Sequence, residues 1–371
     1  HSQPLPHLEI SGKEVGEMYA RGDMASVKIR VGIRLFVWNS LMAPSPHLLP
    51  CHCKCVYNLH TNRIEPKGEQ ALQLQQVLNN VYYLPGASNI GLIIGEGQQA
   101  FLIDTGVGQR SGRQLLQLLE ERGLHLVAIL NTHGHGDHVG GNAYLVEHTG
   151  ARVYAPLHDG IVLRYPVWGM LCTFGGAEPI AELSVPRFAP QSCAVDVTVT
   201  EGEVEIAGVT VQVVALPGHT GTHTGYIVDN VFFIGDILAG EAALANAPIS
   251  YAYSITQRLA SLEKLRHYSC ACYVPGHGPV ERDIGPLIDR NIAQLNDTVG
   301  FIKAYLARGG AEANELLIAV CAYYGITMRN VREYYMLYPT LHSFLSHLNN
   351  RGEITHSVEN NRLLWHTVER R

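Results

Sequence analysis

Thr132-His133-Gly134-His135-Gly136-Asp137-His138-Val139-Gly140-Gly141 places three imidazoles and a carboxylate within six residues. A hydrophobic core has no use for such a cluster. The apolar run Leu126–Leu130 just ahead of it reads as a buried strand that delivers Asn131 and Thr132. A loop leaving a strand end can turn the alternate side chains His133 and His135 toward one point, while Asp137 and His138 reach a second point nearby. The flanking glycines relieve the crowding of such a turn.

The same arrangement recurs downstream. Ala215-Leu216-Pro217-Gly218 runs up to His219, Ile234-Gly235 up to Asp236, and Tyr273-Val274-Pro275-Gly276 up to His277. Each apolar run stops just before a residue able to bind a metal, where loops of layered α/β proteins carry their chemistry. Taken singly, each of these side chains reads equally well as a hydrogen-bonded structural residue; it is their conjunction with the 133–138 cluster that points to a metal site.

The HxHxDH pattern of His133–His138 resembles the signature of the metallo-β-lactamase superfamily, and the later motifs follow in that family's order. The resemblance implies an α/β fold, a four-layer αββα sandwich. It also implies that His133, His135 and His219 bind one divalent ion, that Asp137, His138 and His277 bind a second, and that Asp236 bridges both. Asp104, in Asp104-Thr105-Gly106, matches a family aspartate lying behind the site, and His223 a family histidine that is not a ligand. Both are expected to orient the ligands. Ligation by nitrogen and oxygen without a thiolate makes zinc the default, with iron and manganese also admitted.

Such a pair of ions implies a bridging hydroxide formed near neutral pH as the nucleophile, with Asp137 orienting it and handling its proton. No Gly-x-Ser-x-Gly elbow offers a competing serine. The resemblance leaves three classes of activity: hydrolysis of an ester, thioester, lactone or amide of a small molecule, as in the glyoxalase II group; cleavage of single-stranded nucleic acid; and persulfide dioxygenation. His135 stands where di-iron oxygen reductases carry glutamate, and Asp236 where true β-lactamases lack the bridging aspartate. The expectation is small-molecule hydrolysis, with an endoribonuclease or phosphodiesterase as the alternative and the dioxygenase behind it.

The catalytic part is expected over residues 79–285, behind an extension, 1–78, of uncertain fold. In that extension Val27–Val37 alternates like a strand and Ala43–Pro50 reads as a loop. Cys51, Cys53 and Cys55 lack the two-residue spacing usual for zinc and read as buried strand cysteines. Tyr165–Pro190, rich in proline, glycine and aromatics, is expected to interrupt regular structure as a loop over the pocket. Residues 286–371 read as a linker helix over about Leu287–Ala307, then helix, helix, helix and hairpin, with the last helix at about Thr340–Asn350, which is winged-helix order. Phe174-Gly175-Gly176-Ala177 and Pro275–Val280 are similar to a winged-helix-bearing group that includes a lactamase-β-like endoribonuclease.

The net charge of −6 gives no electrostatic reason for tight binding to nucleic acid or a membrane surface. From Pro286 onward 9 Lys/Arg stand against 8 Asp/Glu, without the basic excess of a nucleic-acid module. The apolar spacing of Leu341, Phe344, Leu345 and Leu348 is that of a core stripe. Eight scattered cysteines favour a reducing compartment and hence the cytoplasm. No apolar run is long enough to span a membrane. The sequence starts at His1 rather than methionine, which leaves a removed leader open, and a homo-oligomer is admitted.

Overall fold

Strand-forming runs separated by glycine turns build two sheets in the computed structural model, which describes residues 73–246 and 248–368. The expected strand at Val27–Val37, the loop after it, Cys51, Cys53 and Cys55 lie outside the described residues. The first sheet has seven strands in chain order: β1 (Gln75–Leu78), β2 (Val81–Leu84), β3 (Ile90–Ile94), β4 (Gln99–Ile103), β5 (His125–Leu130), β6 (Arg152–Pro156) and β7 (Val197–Val199). Pairing is antiparallel from β1 to β4 and parallel from β4 to β7. The sheet takes in Gln75–Leu78, four residues ahead of the expected start at 79.

The second sheet has five strands, β8 (Gly202–Ile206), β9 (Val209–Ala215), β10 (Thr224–Val228), β11 (Val231–Gly235) and β12 (Cys272–Pro275), ordered β12-β11-β10-β9-β8. The apolar stretch from Glu203 to Val214 folds back on itself as the β8–β9 hairpin, because Ala207 (φ 53°) and Gly208 (φ 73°) adopt the left-handed turn that matches strand twist. In β9 Val211 and Val213 are buried while Thr210 and Gln212 face water, the alternation of a sheet face.

Helices flank both sheets: α1 (Gly108–Glu121), α2 (Gly136–Val139), α3 (Asn142–Thr149), α4 (Leu157–Arg164), α5 (Val167–Thr173), α6 (Glu241–Asn246), α7 (Ile255–Leu265) and α8 (Gly285–Leu306). Phe101, Ile103, Ala128 and Leu130 of the first sheet meet Val211, Val213, Tyr226 and Phe233 of the second in the central core. On the outer side of the first sheet Leu92, Leu102 and Ile129 pack on Leu115 and Leu119 of α1 and Leu145 of α3. On the outer side of the second, Val214, Phe232 and Ile234 pack on Leu262 and Leu265 of α7 and Leu287 and Ile288 of α8. These are the expected four layers, αββα. The segment 165–190 is more regular than expected, since α5 and a short helical turn at Ala181–Leu183 lie within it.

The C-terminal part continues from α8 through α9 (Ala313–Tyr324), α10 (Val331–Asn350) and the hairpin of β13 (Ile354–Glu359) and β14 (Arg362–Thr367), with Ala311 bridged to Trp365. Where three helices were expected between the linker helix and the hairpin there are two, because the last helix begins at Val331 rather than near Thr340 and takes in the stretch ahead of it. Asn330 caps it by accepting from the Arg332 and Glu333 amides, and the helix runs through Pro339. Leu341, Phe344, Leu345 and Leu348 pack with Ile302, Leu306, Leu316 and Val320, so the predicted stripe is core. Among the described residues no helix is long and apolar enough to cross a membrane.

Candidate metal centre

The seven predicted ligands come from four strand ends on one edge of the sandwich. β5 delivers His133, His135, Asp137 and His138; β9 leads to His219; β11 ends at Gly235, next to Asp236; and β12 leads to His277. The parallel register of β11 and β12 sets Gly235 beside Pro275, which brings Asp236 and His277 together. Parallel pairing of β4 and β5, with Ile103 beside Leu130, does the same for Asp104 and Thr132.

Three groups of facing donor atoms result, each within 4.8 Å: His133, His135 and His219; His133, His138 and Asp236; and Asp137, His138 and His277. His135 Nδ1 lies 3.0 Å from both His133 Nε2 and His219 Nε2. Asp236 Oδ2 is 3.5 Å from His219 Nε2 and 3.3 Å from His277 Nε2, and therefore stands between the two outer groups. These separations are close to the edge of a tetrahedron with bonds of about 2.0 Å, roughly 3.3 Å. His138 Nε2 and Asp236 Oδ1, 3.3 Å apart, are buried and without a hydrogen-bond partner. Buried polar atoms left in this way are costly, and a cation between such donors satisfies them. The residues fit the implied metals.

The far side of each ring decides which nitrogen is offered. His138 Nδ1 donates to Asp104 Oδ2 at 2.8 Å, His219 Nδ1 to the Tyr251 carbonyl at 3.2 Å, and His277 Nδ1 to the Ala87 carbonyl at 2.6 Å. Each leaves Nε2 free to bind metal. Asp104 also accepts from the Thr132 amide and hydroxyl, and it holds a left-handed backbone (φ 60°) that aspartate tolerates better than most residues. Asp104→Ala removes all three bonds. It is expected to weaken zinc binding about 10- to 100-fold, read by titrating the metal-free protein against a chromophoric chelator; wild-type affinity would contradict this role.

His223 faces the other way. Its Nε2 accepts from the Asp236 amide at 3.0 Å, so the structure places it behind the ligands. Burial pushes it down to about 3, which keeps it neutral and able to accept. Burial likewise holds His133 and His219 well below the ordinary histidine range, in the neutral form that metal binding requires. For His138 burial is outweighed by the Asp236 and Asp104 carboxylates, which hold it well above that range.

Several residues of the site escape sequence reasoning. Asp159, buried in α4, accepts from the Gly134 amide (2.9 Å) and from the Thr220 (3.0 Å) and Thr222 (2.7 Å) hydroxyls. It ties the 133–138 loop to the His219 loop. The signal was available, because Asp159 follows the apolar end of β6 as the ligands follow theirs. Ser88 donates to the Asp137 carbonyl, and Asn89 bonds the Pro275 and Gly278 carbonyls, which fixes the His277 loop.

The buried Arg258 donates to the same Tyr251 carbonyl at 3.0 Å, and helix α10 supports that segment. Thr340 accepts from the Ala252 amide, Ser343 from the Ile255 amide, and His347 bonds Thr256. Ser343→Ala leaves the fully buried Ile255 amide unpaired at a cost of about 1–3 kcal/mol. A lower thermal midpoint is expected, and an unchanged one would show that α10 does not carry this segment.

The sequence pattern and the site geometry coincide with a known class: the chain belongs to the metallo-beta-lactamase superfamily, whose family model matches residues 83–277, more than half of it. Among curated relatives, an atrochrysone carboxyl ACP thioesterase of Aspergillus fumigatus is 26% identical over 75% of this chain and 60% of its own length. A hydroxyacylglutathione hydrolase of Methylobacillus flagellatus is 31% identical over 50% of this chain and 60% of its own. The chain thus spans about 60% of the length of each. A metallo-beta-lactamase family protein of Thermus thermophilus shares the fold with a TM-score of 0.62 at 21% identity, over 79% of this chain and all of that one. A beta-lactamase domain protein of Burkholderia ambifaria gives 0.64 at 18% identity, over 81% and 94%.

Proposed function

We propose that this chain is a metal-dependent hydrolase of thioesters, the thioester being the member of the ester, thioester, lactone and amide set that its relatives' names favour. The observation that carries the reading is the convergence of seven nitrogen and oxygen donors on adjacent points, with His138 Nε2 and Asp236 Oδ1 buried and unpaired between them. His133, His135 and His219 would hold one divalent ion and Asp137, His138 and His277 the other, with Asp236 shared; zinc suits the donor set, and iron and manganese are also compatible. Residues 79–285, extended to Gln75, form the catalytic part in this reading, and 286–371 a linker helix with a winged-helix-like module.

When bound, the ions would supply a water acidified from a pKa of 15.7 to roughly 7 and a polarised carbonyl oxygen. Asp137, nearly buried beside His277, accepts the water's proton as its oxygen bonds to the carbonyl carbon. The carbon–sulfur bond then breaks and the proton passes to the leaving thiolate. Asp104, through His138, keeps that side of the site from turning away. The products are a carboxylic acid and a thiol.

Metal analysis with a substrate panel tests this: acyl thioesters, lactones, nitrocefin, a phosphodiester and single-stranded RNA. Turnover of thioesters above every other class, abolished by chelation and restored by zinc, is expected. RNA cleavage far exceeding ester turnover would replace this reading with the nuclease alternative, and a single bound iron with oxygen uptake on a persulfide would replace both.

A further inference from the structure

The rim of the donor cluster is chemically lopsided. Beside His135 and His219 stands Tyr251, with its ring 5.3 and 5.7 Å from theirs. Beside Asp137 stands Arg187, from the 165–190 segment, with Nη2 3.1 Å from Asp137 Oδ2. That oxygen is in turn 3.7 Å from His277 Nε2, which puts the guanidinium one carboxylate away from the donors. Among the described residues, no other lysine or arginine is ion-paired with any of the seven.

Backbone packing puts Arg187 there. The Gly136 amide, inside the metal motif, donates to the Arg187 carbonyl at 3.2 Å. A β-carbon on Gly136 would lie 2.0 Å from the Pro186 carbonyl oxygen and 2.8 Å from that of Arg187, so the two peptides lie flush against the motif. The Arg187 side chain itself is 56% exposed. A guanidinium carries five N–H donors in a planar fork that matches carboxylate and phosphate oxygens, and Asp137 engages Arg187 through Nη2 while more than half of the side chain stays open to solvent.

We infer that Arg187 is a specificity residue that reads a negatively charged group of the substrate, a carboxylate or phosphate, while Tyr251 borders the apolar part. This rests on the thioesterase reading and narrows it to anionic thioesters. The charge can sit on the acyl side, as in a dicarboxylic half-thioester, or on the thiol side, as in a phosphate-bearing thiol.

Two substrate pairs separate these sources: succinyl- against butyryl-N-acetylcysteamine for the acyl side, and acetyl-coenzyme A against acetyl-N-acetylcysteamine for the thiol side. Arg187→Gln is expected to reduce the kcat/KM ratio of charged to uncharged substrate about 10- to 100-fold in one pair, as loss of a charge-assisted hydrogen bond does. Zinc content should stay at the wild-type value. Equal losses on charged and uncharged substrates, or lost zinc, would overturn the inference and make Arg187 a support for Asp137; unchanged ratios in both pairs would overturn it as well.

If the wild type hydrolyses no thioester at all, the functional reading fails separately. Calorimetric binding of succinate and of inorganic phosphate to the zinc-loaded protein then still tests Arg187. Binding at least tenfold weaker in the variant for one anion supports it, and equal binding of both overturns it.

Discussion

Gly276→Ala is expected to reduce turnover at least about 100-fold and to lower the metal content, although it deletes no donor. A β-carbon at this position would lie 2.0 Å from Asp236 Oδ1 and 2.9 Å from His138 Cε1. Neither neighbour can retreat freely. His138 is tied through Nδ1 to Asp104, and the Asp236 backbone is held by the hydrogen bond its N–H donates to His223 Nε2. The glycine cannot move either, since its amide donates to the Gly235 carbonyl and its own carbonyl accepts from Asn89. The shared carboxylate must therefore shift by about an ångström, a displacement that costs on the order of 100-fold in a preorganised site. Metal analysis, turnover and a melting curve check this. A variant with wild-type metal content and activity would mean that Asp236 is not the shared ligand.

Asp137 carries the second large effect. Asp137→Ala is expected to reduce turnover by about 100- to 10,000-fold, the usual contribution of a positioned base, in a protein that stays folded. Its buried side chain faces His277 and Arg187 and belongs to no hydrophobic cluster, so circular dichroism should be unchanged. Asp137→Asn keeps the shape and removes the base, and should lose turnover while zinc remains on His133, His135 and His219. Unchanged activity in either variant would place the chemistry elsewhere.

Much of this site was legible in the sequence because its donors are rare side chains in a tight pattern at the ends of apolar runs. All seven predicted ligands come together, and the two orienting residues stand behind them, Asp104 on His138 and His223 on the Asp236 amide. The errors were those of local reading. The β8–β9 hairpin has a weak sequence signal, because the turn that folds Glu203–Val214 back on itself consists of only Ala207 and Gly208. Helix α10 starts earlier than expected because Asn330, a better cap than anything near Thr340, begins it and the chain tolerates Pro339 inside. The first sheet gains Gln75–Leu78, whose exposed glutamines give a weak strand signal until Val81–Leu84 pairs with them.

The 133–138 motif on which the fold reading turns, with the three donor motifs after it, determined by itself the superfamily and the sandwich fold, because residue identity at strand ends is a local property of the chain. Tertiary structure alone decided what surrounds that centre. Asp159 reaches the 133–138 loop from 25 residues away, Arg187 lands on it from about 50, and α10 supports the Ala252–Ile255 segment from nearly 90. No spacing rule predicts such meetings, since they follow from parallel strand register, from glycines that let Pro186 lie against Gly136, and from the packing of a distant helix. The sequence therefore names the donor groups, and the folded chain decides what stands around them.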